Sequence, residues 1–153
     1  MEANQPELRR PIFAGTVQHS LDEKHRVTVP ARWRKAGAME LFAIPDPRQP
    51  ILILLTELEM QLLGAELDAL SGLDPVARRS FKRQFFAKAE HCPMDKQGRL
   101  VLPSDLCGEL SFEGEVVLVG GGARIEVWSP DRWKSVCDQE KEAFSSIADK
   151  LGL

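Results

Sequence analysis

The sequence predicts an α+β protein built from two copies of one strand-rich unit, and three observations carry that reading. Shifting the 153-residue chain by 73 positions aligns its two halves without a gap. Within each half, short β-branched and apolar runs stop at proline or glycine. Each half then closes on a segment with a helix-start signal.

In the alignment, Phe13-Ala14 falls on Phe86-Ala87 and the stretch Asp22 to Pro30 falls on Asp95 to Pro103. Leu52 to Thr56 meets Ile125 to Ser129, and Met60 meets Trp133. Asp, Arg and Pro recur at identical spacing, with apolar positions recurring around them. The units span residues 12–71 and 86–153, after a tail of residues 1–11 and on either side of a linker over residues 72–85.

Each unit opens with a strand (Gly15 to Ser20; Ala89 to Cys92) and a turn-forming D-x-x-x-R, Asp22 to Arg26 and Asp95 to Arg99. A second strand follows (Arg26 to Val29; Arg99 to Leu102), stopped by Pro30 or Pro103, which cannot continue a ladder. Short helical segments come next, Ala31 to Ala36 and Ser104 to Leu110. A strand pair follows in each unit: Glu40 to Ile44 with Ile51 to Leu55, and Glu115 to Val119 with Arg124 to Trp128. The connections are the proline-rich Pro45 to Pro50 and the hairpin-forming Gly120-Gly121-Gly122.

The closing helices start at Thr56-Glu57-Leu58-Glu59, a capping box, and at Ser129-Pro130, a capping hydroxyl before a first-turn proline. Met60, Leu63, Leu67 and Leu70 form one apolar stripe. Trp133, Val136, Phe144, Ile147 and Leu151 form another, and both suit a core or a subunit interface. In the linker, Asp74-Pro75 opens a helix with Ala77, Phe81 and Phe85 on its buried face. Beside them Arg78 with Lys82 and Arg79 with Arg83 make a basic ridge, suited either to phosphates or simply to water.

Composition narrows the class. Apolar residues at 43% and charged residues at 28% describe a globular chain. The longest apolar run, Ile51 to Leu55, cannot span a bilayer. The first eleven residues lack a signal-peptide core, so a cytoplasmic location is expected. Three scattered cysteines, Cys92, Cys107 and Cys137, imply no disulfide framework.

The net charge of −3 argues weakly against nucleic acid, but its distribution argues for it. Arg9 to Lys35 and Val76 to Pro103 each hold seven basic residues against two acids, so the remainder carries −13. Such segregation is an electrostatic footprint, or else a solvated face.

At Asp22 to Arg34 and Met94 to Pro103 the sequence resembles the MraZ family, whose two D-x-x-x-R motifs each run into a strand and a proline. Phe13-Ala14-Gly15, the linker residues Asp74 to Arg79, Phe85-Phe86-Ala87 and Arg124 to Ser129 extend the likeness over Ile12 to Val136. The resemblance implies a duplicated AbrB-like swapped-hairpin β-barrel with flanking helices. It also implies ring-shaped homo-oligomers that bind short DNA repeats upstream of a division and cell-wall operon, in the cytoplasm at the nucleoid. The chain departs from the pattern in three places: His25 stands where glycine is usual, the tail before Ile12 is longer, and Leu55-Thr56 replaces an aromatic-proline pair.

Arginine donates bidentately to guanine or phosphate, so Arg26 and Arg99, at strand starts beside turns, are the expected DNA contacts. An Asp–Arg pair at this spacing can equally serve only its own hairpin, and the residues alone leave both readings open. With the resemblance, the arginines are assigned to DNA and Asp22 and Asp95 to supporting the turns. Lys24, Lys96, Arg32, Arg34 and Lys35 are candidate phosphate contacts. No catalytic motif, metal-ligand spacing or cofactor loop is present, so no enzyme activity, metal, cofactor, small-molecule substrate or membrane partner is expected. The competing reading is an antitoxin-like module that binds a protein, for which two equivalent basic loops would be superfluous.

Overall fold

In the computed structural model, which describes residues 10–36 and 40–153, eight strands and six helices are seen among the described residues. The first half contributes β1 (Thr16–Ser20), β2 (Arg26–Thr28), α1 (Ala31–Lys35), β3 (Leu41–Pro45), β4 (Leu52–Thr56) and α2 (Glu57–Ala69). The connecting helix is α3 (Pro75–Lys88). The second half repeats the order with β5 (Glu90–Cys92), β6 (Arg99–Val101), α4 (Ser104–Glu109), β7 (Glu115–Gly120), β8 (Ile125–Trp128) and α5 (Pro130–Gln139), and ends in α6 (Lys141–Leu151).

Six strands form one antiparallel sheet in the order β1-β7-β8-β4-β3-β5, while β2 and β6 form a separate ribbon. The halves exchange their first strands: β1 pairs with β7 of the second half, and β5 with β3 of the first. The ribbon pairs Val27 with Leu100, and the sheet centre pairs Ile53 with Glu126. Each of these pairs joins residues 73 apart, so a pseudo-twofold axis runs through both. The large sheet ends at β1 and β5, so it is not a closed barrel among the described residues. Pro30 and Pro103 stop β2 and β6 after three residues each, too short a span to stitch the sheet edges together.

Alternation sets the layers. Val27 and Leu100 point from the ribbon onto Leu41, Leu52, Leu54, Leu118, Ile125 and Val127 of the sheet, which together make the main core. The sheet's other face is covered by α2 and α3 over Ile44, Ile53 and Leu55, and by α5 over Val117, Val119 and Trp128.

The register adds corrections. β3 and β7 correspond at an offset of 75, not 73: Ala43 pairs with Leu54, and its counterpart Leu118 pairs with Val127. Two extra residues before β7 and a hairpin shortened by two account for the slip. Phe13 is buried against the sheet, whereas Phe86, its match in sequence, lies in α3 and is exposed. The expected buried face of α3 is largely uncovered, since Ala77 and Phe81 are exposed and Phe85 only half-buried. The basic ridge divides: Arg78 donates to the Leu70 carbonyl and Lys82 lies 3.4 Å from the Asp68 carboxylate, while Arg79 and Arg83 remain exposed. The closing helix breaks at Glu140 into α5 and α6, and Phe144, Ile147 and Leu151 of the second stripe face outward.

The helix starts follow their signals. Thr56 accepts from the Glu59 N–H at 3.2 Å, Asp74 from Val76, and Ser129 from Arg132. Glu59 does not complete its capping box, because its carboxylate is held by the guanidinium of Arg10.

Candidate nucleic-acid interface

The two D-x-x-x-R segments fold alike. Asp22 Oδ1 accepts from the backbone N–H groups of Lys24 (3.0 Å) and Arg26 (2.8 Å), and Oδ2 accepts from Arg26 Nε at 2.7 Å. Asp95 makes the same three bonds to Gln97, Arg99 and Arg99 Nε, at 2.9, 2.9 and 2.7 Å. A short acceptor side chain that serves the backbone two residues on is what lets aspartate close such a turn. The Arg26 backbone N–H, its guanidinium and the Lys24 N–H hold the Asp22 carboxyl below the ordinary carboxylate range. Arg99 and Gln97 do the same to Asp95.

The fourth turn residue is left-handed in both copies, at φ +59° for His25 and +82° for Gly98. Glycine takes this conformation freely and histidine carries a modest strain, so the departure at His25 keeps the turn geometry. Each tip also binds the other half, because the His25 carbonyl accepts from Leu102 and the Gly98 carbonyl from Val29.

The ribbon brings the two arginines together. Arg26 pairs across with Val101 and Arg99 with Thr28, so both stand on the face opposite Val27 and Leu100. They are diagonal neighbours, which in an antiparallel pair places them roughly 7–8 Å apart. Their side chains are 28% and 37% exposed, so both reach solvent while Nε is fixed by aspartate. The terminal NH2 groups make no side-chain hydrogen bond among the described residues. An oriented guanidinium with those donors unspent can bind phosphate or a guanine edge.

Lys24 and Lys96 are exposed at the two turns. Arg32, Arg34 and Lys35 ride on α1, which Trp33 anchors: its ring is buried, stacks edge-on to Phe13 and donates to the Ala14 carbonyl at 3.1 Å. Arg32 and Lys35 are exposed, with Arg32 also donating to Ala14. Arg34 instead crosses to the second turn, where its guanidinium covers Gly98 and buries Nε without a partner. That contact joins residues 64 apart, and sequence reading missed it because no local pattern encodes it. Also missed was a shallow cavity of about 410 Å³ beside the ribbon, lined by Val17, His19, Thr28, Pro30, Ala31 and Arg32.

A family model described as "MraZ protein, putative antitoxin-like" matches residues 85–152. The transcriptional regulator MraZ of Carboxydothermus hydrogenoformans is 36% identical over 140 residues, 92% of this chain and 96% of that protein. The proteins of the same name from Heliobacterium modesticaldum and Symbiobacterium thermophilum are 35% and 33% identical, over 92% and 91% of the chain. The chain belongs to the MraZ family.

The MraZ family model takes in the second D-x-x-x-R turn, Asp95 to Arg99, while the MraZ relatives extend over most of the chain. Among the described residues no helix is long and apolar enough to cross a membrane.

Proposed function

We propose that this protein is a sequence-specific DNA-binding transcriptional regulator of its own division and cell-wall operon, acting in the cytoplasm at the nucleoid. The observation that carries the reading is the pair of equivalent turns whose arginines stand side by side on one outward ribbon face. Arg26 and Arg99 read base edges. Lys24, Lys96, Arg32, Arg34 and Lys35 meet phosphates, and Asp22 and Asp95 hold the two arginines in direction. The name "Transcriptional regulator MraZ" borne by the relatives supports the same class. No catalytic role is assigned to any residue.

The fold is read as two AbrB-like repeats, residues 12–71 and 86–153, around the linker at 72–85. The strand exchange of β1 and β5 supports a swapped-hairpin origin.

A site this small makes few base contacts, so several copies on one ring-shaped homo-oligomer give the avidity, about 10²–10⁴-fold where geometry allows. Supporting assembly, α6 exposes Phe144, Ile147 and Leu151, and an apolar groove of about 430 Å³ runs past Ile53, Leu55, Leu63, Phe81 and Phe85. The groove is bordered by α3, whose charged residues are five cations, while α6 holds two acids and two cations, so the match between them is apolar. In this reading the α6 of one copy docks in the groove of the next.

Fluorescence anisotropy tests the reading, comparing DNA from upstream of the protein's own operon with scrambled DNA at two salt concentrations. Preferential, salt-weakened binding to the native DNA supports it. Equal binding to both sequences refutes sequence specificity. No binding by the folded, assembled protein refutes it in favour of an antitoxin-like module that docks a protein partner.

A further inference from the structure

The two ends of the ribbon are related by the pseudo-twofold axis, yet their chemistry differs. Beyond Thr28, which lies opposite Arg99, the chain passes Pro30 into α1 with Arg32, Arg34 and Lys35. Beyond Val101, opposite Arg26, it passes Pro103 into α4, where the related positions are Asp105, Cys107 and Gly108. Ala36 is matched by Glu109, and Val17 on β1 by Glu90 on β5. Arg34 accentuates the difference by crossing to the Gly98 turn, so Arg99, Arg34 and Arg32 gather at one end. The other end keeps Arg26 and the turn residue Lys24, while α4 and β5 bring Asp105, Glu109 and Glu90.

We infer that the site grips DNA mainly from one side of its pseudo-twofold axis, with Arg32 and Lys35 adding phosphate contacts on the α1 flank that the α4 flank, with Asp105 in place of Arg32, does not match. One chain therefore lies on its DNA element in a single orientation, and the element it fits is asymmetric. The inference rests on the DNA-binding reading above. Its physical basis is that carboxylates facing phosphates repel them, while exposed cations on a helix pinned by Trp33 meet them without reorganisation. Each phosphate contact steepens the salt dependence, so a fourfold rise in salt costs about 3.5-fold more affinity per contact.

The test combines hydroxyl-radical footprinting of the wild-type protein on one DNA element with anisotropy at about 50 and 200 mM salt, which bracket the range over which phosphate neutralisation is felt. Protection extending further on one flank is expected. The double variant Arg32→Ala/Lys35→Ala should shrink the affinity ratio between the two salts by roughly 12-fold, because two phosphates are no longer neutralised. Asp105→Arg should enlarge that ratio by about 3.5-fold and extend protection to the opposite flank. All three positions are exposed, and unchanged thermal melting identifies variants that fold. A footprint even on both flanks, an unchanged salt ratio in the double variant, or no gain from Asp105→Arg overturns the one-sided grip while leaving DNA binding standing. Failure of the folded wild type to bind any DNA overturns the functional reading and this inference with it.

Discussion

The guanidinium carbon of Arg34 lies 2.6 Å from the point where a β-carbon on Gly98 would stand. One half of the chain thus closes over the turn of the other, through a position where only a hydrogen fits.

Gly98→Ala is expected to cost about 1–2 kcal/mol in urea unfolding, since it meets both a left-handed backbone and that side chain. Most of the steric share falls on a flexible side chain, so the loss should shrink but not vanish in an Arg34→Ala background. Equal losses in both backgrounds would assign the whole effect to the backbone. His25→Gly, at the related but uncrossed tip, is expected to change stability by less than about 1 kcal/mol.

Arg26→Ala and Arg99→Ala should each weaken binding to the native DNA by about 1–3 kcal/mol, measured by anisotropy. Thermal stability and sedimentation should stay nearly unchanged, because the backbone N–H bonds that form each turn survive the substitution. A large drop in melting temperature would instead make the Asp–Arg pairs purely structural.

Acid should loosen the turns. Backbone and guanidinium donors depress the carboxyls of Asp22 and Asp95, so their stabilisation is complete above the ordinary carboxylate pKa of 3.8 and is lost as pH falls below it. In a double Asp22→Asn/Asp95→Asn variant, which melts lower at neutral pH, the acid limb of the melting-temperature profile should be shallower than in wild type. Parallel profiles would remove these carboxyls from the account.

Burial pushes the Cys92 thiol up to about 12 and the Cys107 thiol to about 11, while Cys137 is exposed. At about pH 8, close to the ordinary thiol range, iodoacetamide should add once to the native protein and three times in urea, as read by mass spectrometry. By the same linkage, stability should fall as pH rises above the ordinary thiol value of 9. Rapid alkylation of all three native thiols would contradict this packing.

A β-carbon on Gly120 would lie 2.6 Å from the backbone carbonyl of Phe13, where the entering chain bonds to the β7–β8 hairpin. Backbone cannot swing aside as a side chain does. Gly120→Ala should cost about 1–3 kcal/mol or more in urea unfolding, whereas Gly108→Ala, in helix α4 where a β-carbon meets nothing, should gain about 0.4–1 kcal/mol. Similar effects at both positions would show that the Phe13 strand entry is pliable.

The α+β class and most elements were legible because their signals are local. Prolines 30 and 103 end β2 and β6, and Thr56, Asp74 and Ser129 start helices where hydroxyl and carboxylate caps predict them. The Asp22–Arg26 and Asp95–Arg99 bonds were legible for the same reason, being four residues apart. What escaped was non-local. The exposure of Phe81 depends on what α3 packs against, and the two-residue slip of β7 relative to β3 needs the paired strands to be seen. The placement of Arg34 over Gly98 follows only once the ribbon has brought the halves together. The unclosed sheet likewise reflects strand lengths that a family likeness does not fix.

The exchange of β1 and β5 also sets a timetable for synthesis. When the ribosome has made everything through α2, the first half is complete in sequence but not in structure: β3 awaits β5, and β4 awaits β8. β1 has no partner until Glu115 to Gly120 have emerged, roughly a hundred residues after its own appearance. A nascent chain of this kind carries apolar strands with open edges through most of its elongation, so it folds near the end of translation. Cutting it between the repeats would yield two fragments, each lacking the strand that the other holds.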